Sequence, residues 1–240
     1  MITLYTFPEG FGQFSYSPFC TKAAWLLNLA GAQWQLNLAG AQWQREDMND
    51  PHKMPHGKLP AIKLDDATII PDSDNIRSYV ETLGHDFDAG LSARDKAASR
   101  AFIRMAEEHI YYHQVQDRWG DEANWNVIRK EYFDFLPAII RGFVTTKLRK
   151  DLMKTMHGLG IGRMTVEQRL DRIEPYLIAL KDQLDGRAFL FGDTPSAADA
   201  SVGSILGEII VAPVPTPLSR RVSTDPILSA YVTHCEVAMG

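Results

Sequence analysis

Apolar positions change their spacing about a third of the way along this chain. Early on they come in brief runs: Ile2-Thr3-Leu4-Tyr5-Thr6 reads as a strand, and Thr21 to Ala30, rich in Ala, Leu and Lys, reads as a helix. Lys58-Leu59-Pro60-Ala61-Ile62-Lys63-Leu64 is a β-type run opened by Pro60, which has no N–H for a ladder and so belongs at a strand's first residue or an edge. Ile69-Ile70-Pro71 ends a further strand, Asp72 and Ser73 cap the helix that follows, and Ile76 to Leu83 continues it. This alternation predicts an α/β unit over residues 1–85. Gly84 to Gly90 reads as a linker, after which β signals fade. Apolar residues then recur at helical spacing, predicting an all-helical unit over 92–240 with helices near 92–119, 123–141, 143–157, 165–185, 196–211 and 226–238. Ser196, with Asp199 three residues on, is a variant capping box for the fifth of these.

One segment departs from the pattern. Leu27 to Gln35 (LNLAGAQWQ) is repeated without change as Leu36 to Gln44. A nine-residue shift on a continuous helix turns the second copy by about 180°, and on a continuous strand an odd shift also reverses the face. One copy is therefore expected to serve the helix end and second strand, and the other to form an extended helix or bulging loop.

Composition narrows the classes. A chain of 240 residues with 45% hydrophobic and 23% charged content is an ordinary soluble protein with ample length for a core. The net charge of −5 argues against nucleic acid as the main partner. No apolar run approaches the ~18 residues that span a bilayer, so no membrane span is expected. The N-terminus lacks the basic-then-apolar layout of a secretion signal. Cys20 and Cys235 lie far apart and form no disulfide framework, which suggests a reducing, cytoplasmic location.

The candidate chemistry starts at Ser17-Pro18-Phe19-Cys20, between the first strand and the first helix. A Ser or Cys there lies where unpaired backbone N–H groups and the helix dipole stabilise negative charge, and the same place lowers the pKa of a thiol, the protein's own or a ligand's. An ordinary N-cap with a first-turn Pro has the same appearance. The Leu59 main chain, if the bond to Pro60 is cis, turns outward and can pair with an extended peptide-like ligand. Asp72 and Ser73 suit a ligand's ammonium and carboxylate, and plain capping also accounts for them.

In this order and spacing, the three segments resemble the thioredoxin-like domain of the glutathione transferase superfamily, with Leu59-Pro60 for the usual Val-Pro and Asp72-Ser73 for the usual Glu-Ser. Met105-Ala106-Glu107-Glu108-His109, then Tyr111-Tyr112, Arg118-Trp119, the Gly158 to Arg163 segment and Thr194 to Ala200 look like the subgroup related to failed axon connections proteins and metaxins. The resemblance implies a two-domain fold, an α/β thioredoxin-like N-terminal domain followed by an all-α C-terminal domain. It implies glutathione as co-substrate, held by Lys58, Leu59, Pro60, Asp72 and Ser73, with its sulfur near Ser17. A small hydrophobic electrophile would be the partner substrate and a homodimer the assembly. Tyr16, Tyr112 and Trp119 are the candidates for the electrophile pocket, and Tyr112 and Trp119 also suit a core.

Ser17 would favour the thiolate through its hydroxyl, and the thiolate would attack an electrophilic carbon. Cys20 is the competing catalytic residue, almost one turn into the helix, where a thiol is usually less exposed. A thiol reductase working through Cys20, and a fold kept for binding or scaffolding without turnover, are the alternatives. Tyr5, inside the strand, reads as packing. His109 and His113 share a helical face and could bind a metal, but no third ligand is evident, so no metal is expected. Gly158, Gly160 and Gly162 follow a helix rather than a strand and read as a C-cap and tight turn. Arg141, Arg149 and Lys150 read as solvated positive charge.

Overall fold

The computed structural model describes residues 1–34 and 43–240. Its N-terminal part is a four-stranded mixed sheet in the order β2-β1-β3-β4, built from β1 (Ile2–Thr6), β2 (Trp43–Asp47), β3 (Ala61–Lys63) and β4 (Ile69–Pro71). The β1–β2 pair is parallel, with Leu4 opposite Arg45, and needs a crossover helix; α1 (Pro18–Trp34) supplies it. Antiparallel β3 pairs Ile62 with Leu4 on one side and with Ile70 on the other. Helix α2 (Ser73–Thr82) closes this unit, which is a thioredoxin-like domain.

Everything beyond is helical: α3 (Ala93–Met105), a single π-turn at Ala106–Ile110, α4 (Tyr111–Gly120), α5 (Glu122–Glu131), α6 (Ala138–Gly158), α7 (Val166–Leu184), α8 (Ala197–Ile210), α9 (Pro217–Ser223) and α10 (Pro226–Met239). The core runs through α8, whose residues from Ala197 to Ile209 are all buried. It packs on α1 and α10 so closely that a Cβ added at Gly203 would stand 2.8 Å from Cys235 Sγ and 3.1 Å from the Trp25 ring. A helix apolar on all sides is a central helix, and the small residues of α8 permit that approach.

Three expectations need correction. The region read as helices 123–141 and 143–157 is instead α5, an irregular stretch 132–137, and α6. Pro137 decides the break, since it lacks an N–H and biases the residue before it away from the α region. It stands at φ −53°, ψ 135° as the N-cap of α6. Helix α9 was not anticipated, although Thr216 and Ser219 form a reciprocal capping box at its start. The duplicated segment also divides differently. The first copy supplies the end of α1, the second opens β2 with Trp43 and Gln44, and residues 35–42 lie outside the described residues. Trp43 of the second copy donates to Asn28 Oδ1 of the first at 2.9 Å.

The linker reading understates residues 84–90. Phe87 and Asp88 are buried, and Asp88 joins Arg77 of α2 (2.9 Å) to Ser99 of α3 and the Ala197 N–H of α8 (3.3 Å). Ser196 and Asp199 form the expected capping box, and Asp199 also accepts from Tyr231 at 2.9 Å. Gly160, at φ +89°, makes the turn after α6.

Candidate functional site

The loop between β1 and α1 turns back through Phe11 and Gly12, both at positive φ, with Gly10 and Gln13 paired across the turn. Ser15 donates to the Phe7 carbonyl at 2.9 Å and accepts the Ser17 N–H at 3.3 Å, which fixes the approach to the helix. The Ser17 carbonyl accepts the N–H groups of Cys20 and Thr21 at 3.0 and 3.1 Å. Ser17 therefore occupies the capping position of α1, with its hydroxyl beside the helix's first free N–H groups. A Cβ on Gly10 would come within 1.9 Å of the Tyr16 ring, so Gly10 is what lets Tyr16 lie flat against the turn.

Beneath Ser17 lies Cys20, with no exposure at all, packed against Tyr5, Leu59 and Ala61. Burial pushes the Cys20 thiol up, and hydrogen bonding to Thr6, Phe7, Ser17 and Ser15 only partly opposes it. The expectation of Cys20 as a competing nucleophile meets this geometry: the helix turns its side chain inward, into an apolar floor that disfavours a thiolate. Native protein should therefore resist a disulfide-exchange reagent such as dithionitrobenzoate, with Cys20 and Cys235, both buried, released together on unfolding. One rapid equivalent of thiol in the native state would contradict this placement.

Cys20 links the three motif segments. The Leu59–Pro60 bond is cis, Leu59 packs on Cys20, and the Pro60 carbonyl accepts the Asp72 N–H at 3.0 Å. Asp72 stands at φ 76°, ψ 136°, a conformation that costs an L-residue of order 1–3 kcal/mol and that clusters at functional sites. Its carboxylate takes the Asp74 N–H at 2.8 Å. Ser73 is buried as the first residue of α2, and Lys58 is exposed. The first turn of α2 is tied to α1 and the π-turn by Lys22. Its ammonium, 1% exposed, meets Asp74 at 2.9 Å and Glu107 at 2.6 Å. The structure thus brings Ser17, Leu59, Pro60, Asp72 and Ser73 to one end of the sheet.

Ser17 also opens into a cavity of about 490 Å³ between the two domains. Phe7, Tyr16, Pro18 and residues 49–52 wall it on the sheet side. Tyr111, Gln114, Val115, Arg118 and Trp119 of α4 face them, and Tyr132, Phe133, Phe135 and Leu136 close it together with Val144 and Leu148 of α6. Of the three pocket candidates, Tyr16 and Trp119 line this cavity. Tyr112 does not line it: it shares Trp119's side of α4 but sits two turns, about 10 Å, back along the helix axis, where Tyr111 forms the wall. Tyr111 takes its place, its ring edge-on to Phe19 at 4.8 Å, with burial holding its hydroxyl up to about 12.

Arg118, on this wall, belongs to a buried ion pair that was not anticipated. Arg118 and Glu208, 3% and 2% exposed, bond side chain to side chain, and Arg118 also donates to the Glu208 carbonyl and, at 2.9 Å, to the Tyr132 hydroxyl. Among sequence signals, only the aromatic run Tyr132-Phe133-Asp134-Phe135 before Pro137 could have pointed to this wall. His109 and His113 stack on each other at 5.0 Å, away from the cavity; among the described residues no group of three potential ligands gathers around them. No helix of the described residues is long and apolar enough to cross a membrane.

Residues 18–124 match the glutathione S-transferase N-terminal domain, and residues 174–235 match the glutathione S-transferase C-terminal domain. The isoprene-epoxide–glutathione S-transferase of Rhodococcus sp. is 32% identical over 97% of this chain and 96% of its own length. The chain belongs to the glutathione transferase superfamily. Within it, mouse metaxin-1 is 29% identical over 78% of this chain, which spans 61% of metaxin-1's length. A glutathione transferase of Phanerochaete chrysosporium superposes with a TM-score of 0.62 at 17% identity, covering 99% of this chain and 96% of that one. One from Ceriporiopsis subvermispora, solved in complex with glutathione, gives 0.58 at 15%, covering 100% and 98%. These likenesses match the fold described above.

Proposed function

We propose that this superfamily member is a working transferase that binds glutathione at the end of the sheet formed by Leu59, Asp72 and Ser73 and presents its sulfur to the Ser17 hydroxyl. One observation carries the reading: Ser17 stands at the open N-terminus of α1 and, at the same time, at the wall of a largely aromatic cavity. A thiolate held there gains a hydroxyl donor and the helix N-terminus. Apolar walls suit a small hydrophobic electrophile, and the Rhodococcus relative's name supports an epoxide as its class.

A binding role without turnover is the second reading, supported by the likeness to metaxin-1 over 78% of the chain. Calorimetric titration with reduced glutathione and conjugation of chlorodinitrobenzene separate the two. For a transferase, glutathione binds, and Ser17→Ala lowers kcat/KM by at least about 100-fold, the usual cost of losing one preorganised donor. Binding without conjugation in the wild type would favour the second reading. Conjugation that survives Ser17→Ala would remove Ser17 from the chemistry.

A further inference from the structure

Tyr132 holds a hydroxyl on the cavity wall whose proton has no acceptor among the described residues. Arg118 Nη1 donates to the Tyr132 oxygen at 2.9 Å, and a guanidinium cannot accept in return. Glu208 is near, but its Oε2 is bonded to Arg118, and its buried Oε1 has no partner among the described residues, Tyr132 included. The phenol is therefore occupied as an acceptor and free as a donor, on the wall of the cavity that Ser17 shares. Burial holds it protonated far above neutral pH.

The two hydroxyl-bearing residues are held in register by their chain neighbours. The Tyr16 ring, one residue before Ser17, lies 4.0 Å from the Tyr132 ring. The Tyr16 hydroxyl in turn donates to the carbonyl of Glu131, one residue before Tyr132, at 3.4 Å. Two positions on different domains are thus held together on the wall of one cavity.

We infer that Tyr132, oriented by Arg118, is the proton donor to an electrophile whose carbon–oxygen bond breaks, which makes epoxides a preferred substrate class. This rests on the transferase reading above. Glutathione sulfur forms the new carbon–sulfur bond with its own electron pair as the epoxide carbon–oxygen bond breaks. The departing oxygen keeps that pair and takes the Tyr132 proton. Solvent water then returns a proton to the phenolate, and the product is a hydroxyalkyl thioether. Arg118 acts as a positioning residue: by filling one side of the phenolic oxygen it leaves the O–H directed elsewhere. A halide leaving group needs no proton, so aryl halides would not use this device.

Steady-state rates with styrene oxide and with chlorodinitrobenzene, on wild type and Tyr132→Phe, test it. The phenyl ring preserves the packing on Tyr16, and calorimetric titration with glutathione reports whether the variant is folded and binds it. Loss of a general acid is expected to lower kcat with styrene oxide by roughly 100-fold or more. The aryl halide rate should lose at least about tenfold less than the epoxide rate does. Equal losses on both substrates, or an unchanged epoxide rate, would overturn the role of Tyr132 while leaving the transferase reading intact. A wild type that conjugates neither substrate would instead overturn the transferase reading and this inference with it.

Discussion

Arg118→Met should destabilise the protein by roughly 3–5 kcal/mol, the cost of removing one partner from a buried ion pair. For a chain of this size that corresponds to a fall in melting temperature on the order of 10 °C. The magnitude follows from what is left behind. Glu208 is buried, and among the described residues one carboxylate oxygen already lacks a partner and the other bonds only to Arg118. Without the guanidinium, the carboxylate must take up a proton or stand uncompensated in the core. Lys22 makes the contrast. Its partners would keep other contacts, Asp74 with Arg100 and Arg104, and Glu107 with Arg104 and the Ser201 hydroxyl. Denaturant unfolding of Arg118→Met checks the expectation, and a loss below about 1 kcal/mol would show that the pair is not holding Glu208 in the core.

Acidification from pH 6.5 to 5 should weaken the fold, and most of the loss should trace to His113. Burial, helped by His109, Arg169 and Arg172, depresses its pKa from 6.5 to about 4. Burial also lowers His109 and His85. The sign is that of a base whose folded pKa is depressed. Above pH 6.5 the ring is neutral in both states and contributes nothing. Below it the unfolded chain binds a proton that the native state refuses, so stability falls until the native ring also protonates near pH 4. Each histidine adds a slope of up to about 1.4 kcal/mol per pH unit, so His113 alone takes roughly 3 kcal/mol over the whole window. The buried His113 Nε2 has no hydrogen-bond partner among the described residues, so replacing the neutral ring by an apolar side chain breaks no bond at that nitrogen. His113→Leu should flatten the pH dependence of denaturant midpoints between pH 6.5 and 5. An unchanged slope would assign the acid sensitivity to other groups.

Much of the site was legible because its parts are local. Ser17 at the entrance of a helix, Pro60 opening a strand and Asp72-Ser73 capping α2 are each set by a few neighbouring residues, and propensity and capping rules act at that range. The Ser196–Asp199 capping box and the turn at Gly160 were readable for the same reason. What escaped is non-local. Arg118 and Glu208 are 90 residues apart, and no periodicity announces that a charge on α4 will meet one on α8. Tyr111 and Tyr112 are equally aromatic, and only how α4 packs across from the sheet domain determines which one lines the cavity.

By itself, then, the order of residues determined the two-part architecture, the helix-mouth hydroxyl and the family, since these rest on local spacing and on motifs that survive divergence. The tertiary structure decided which groups share a medium. It put the Cys20 thiol under the floor and the Ser17 hydroxyl above it, although both lie on one turn of α1. It also made a cavity wall of the irregular stretch before Pro137. Burial and ion pairing depend on what packs against a side chain from distant parts of the chain, and only the assembled core supplies that.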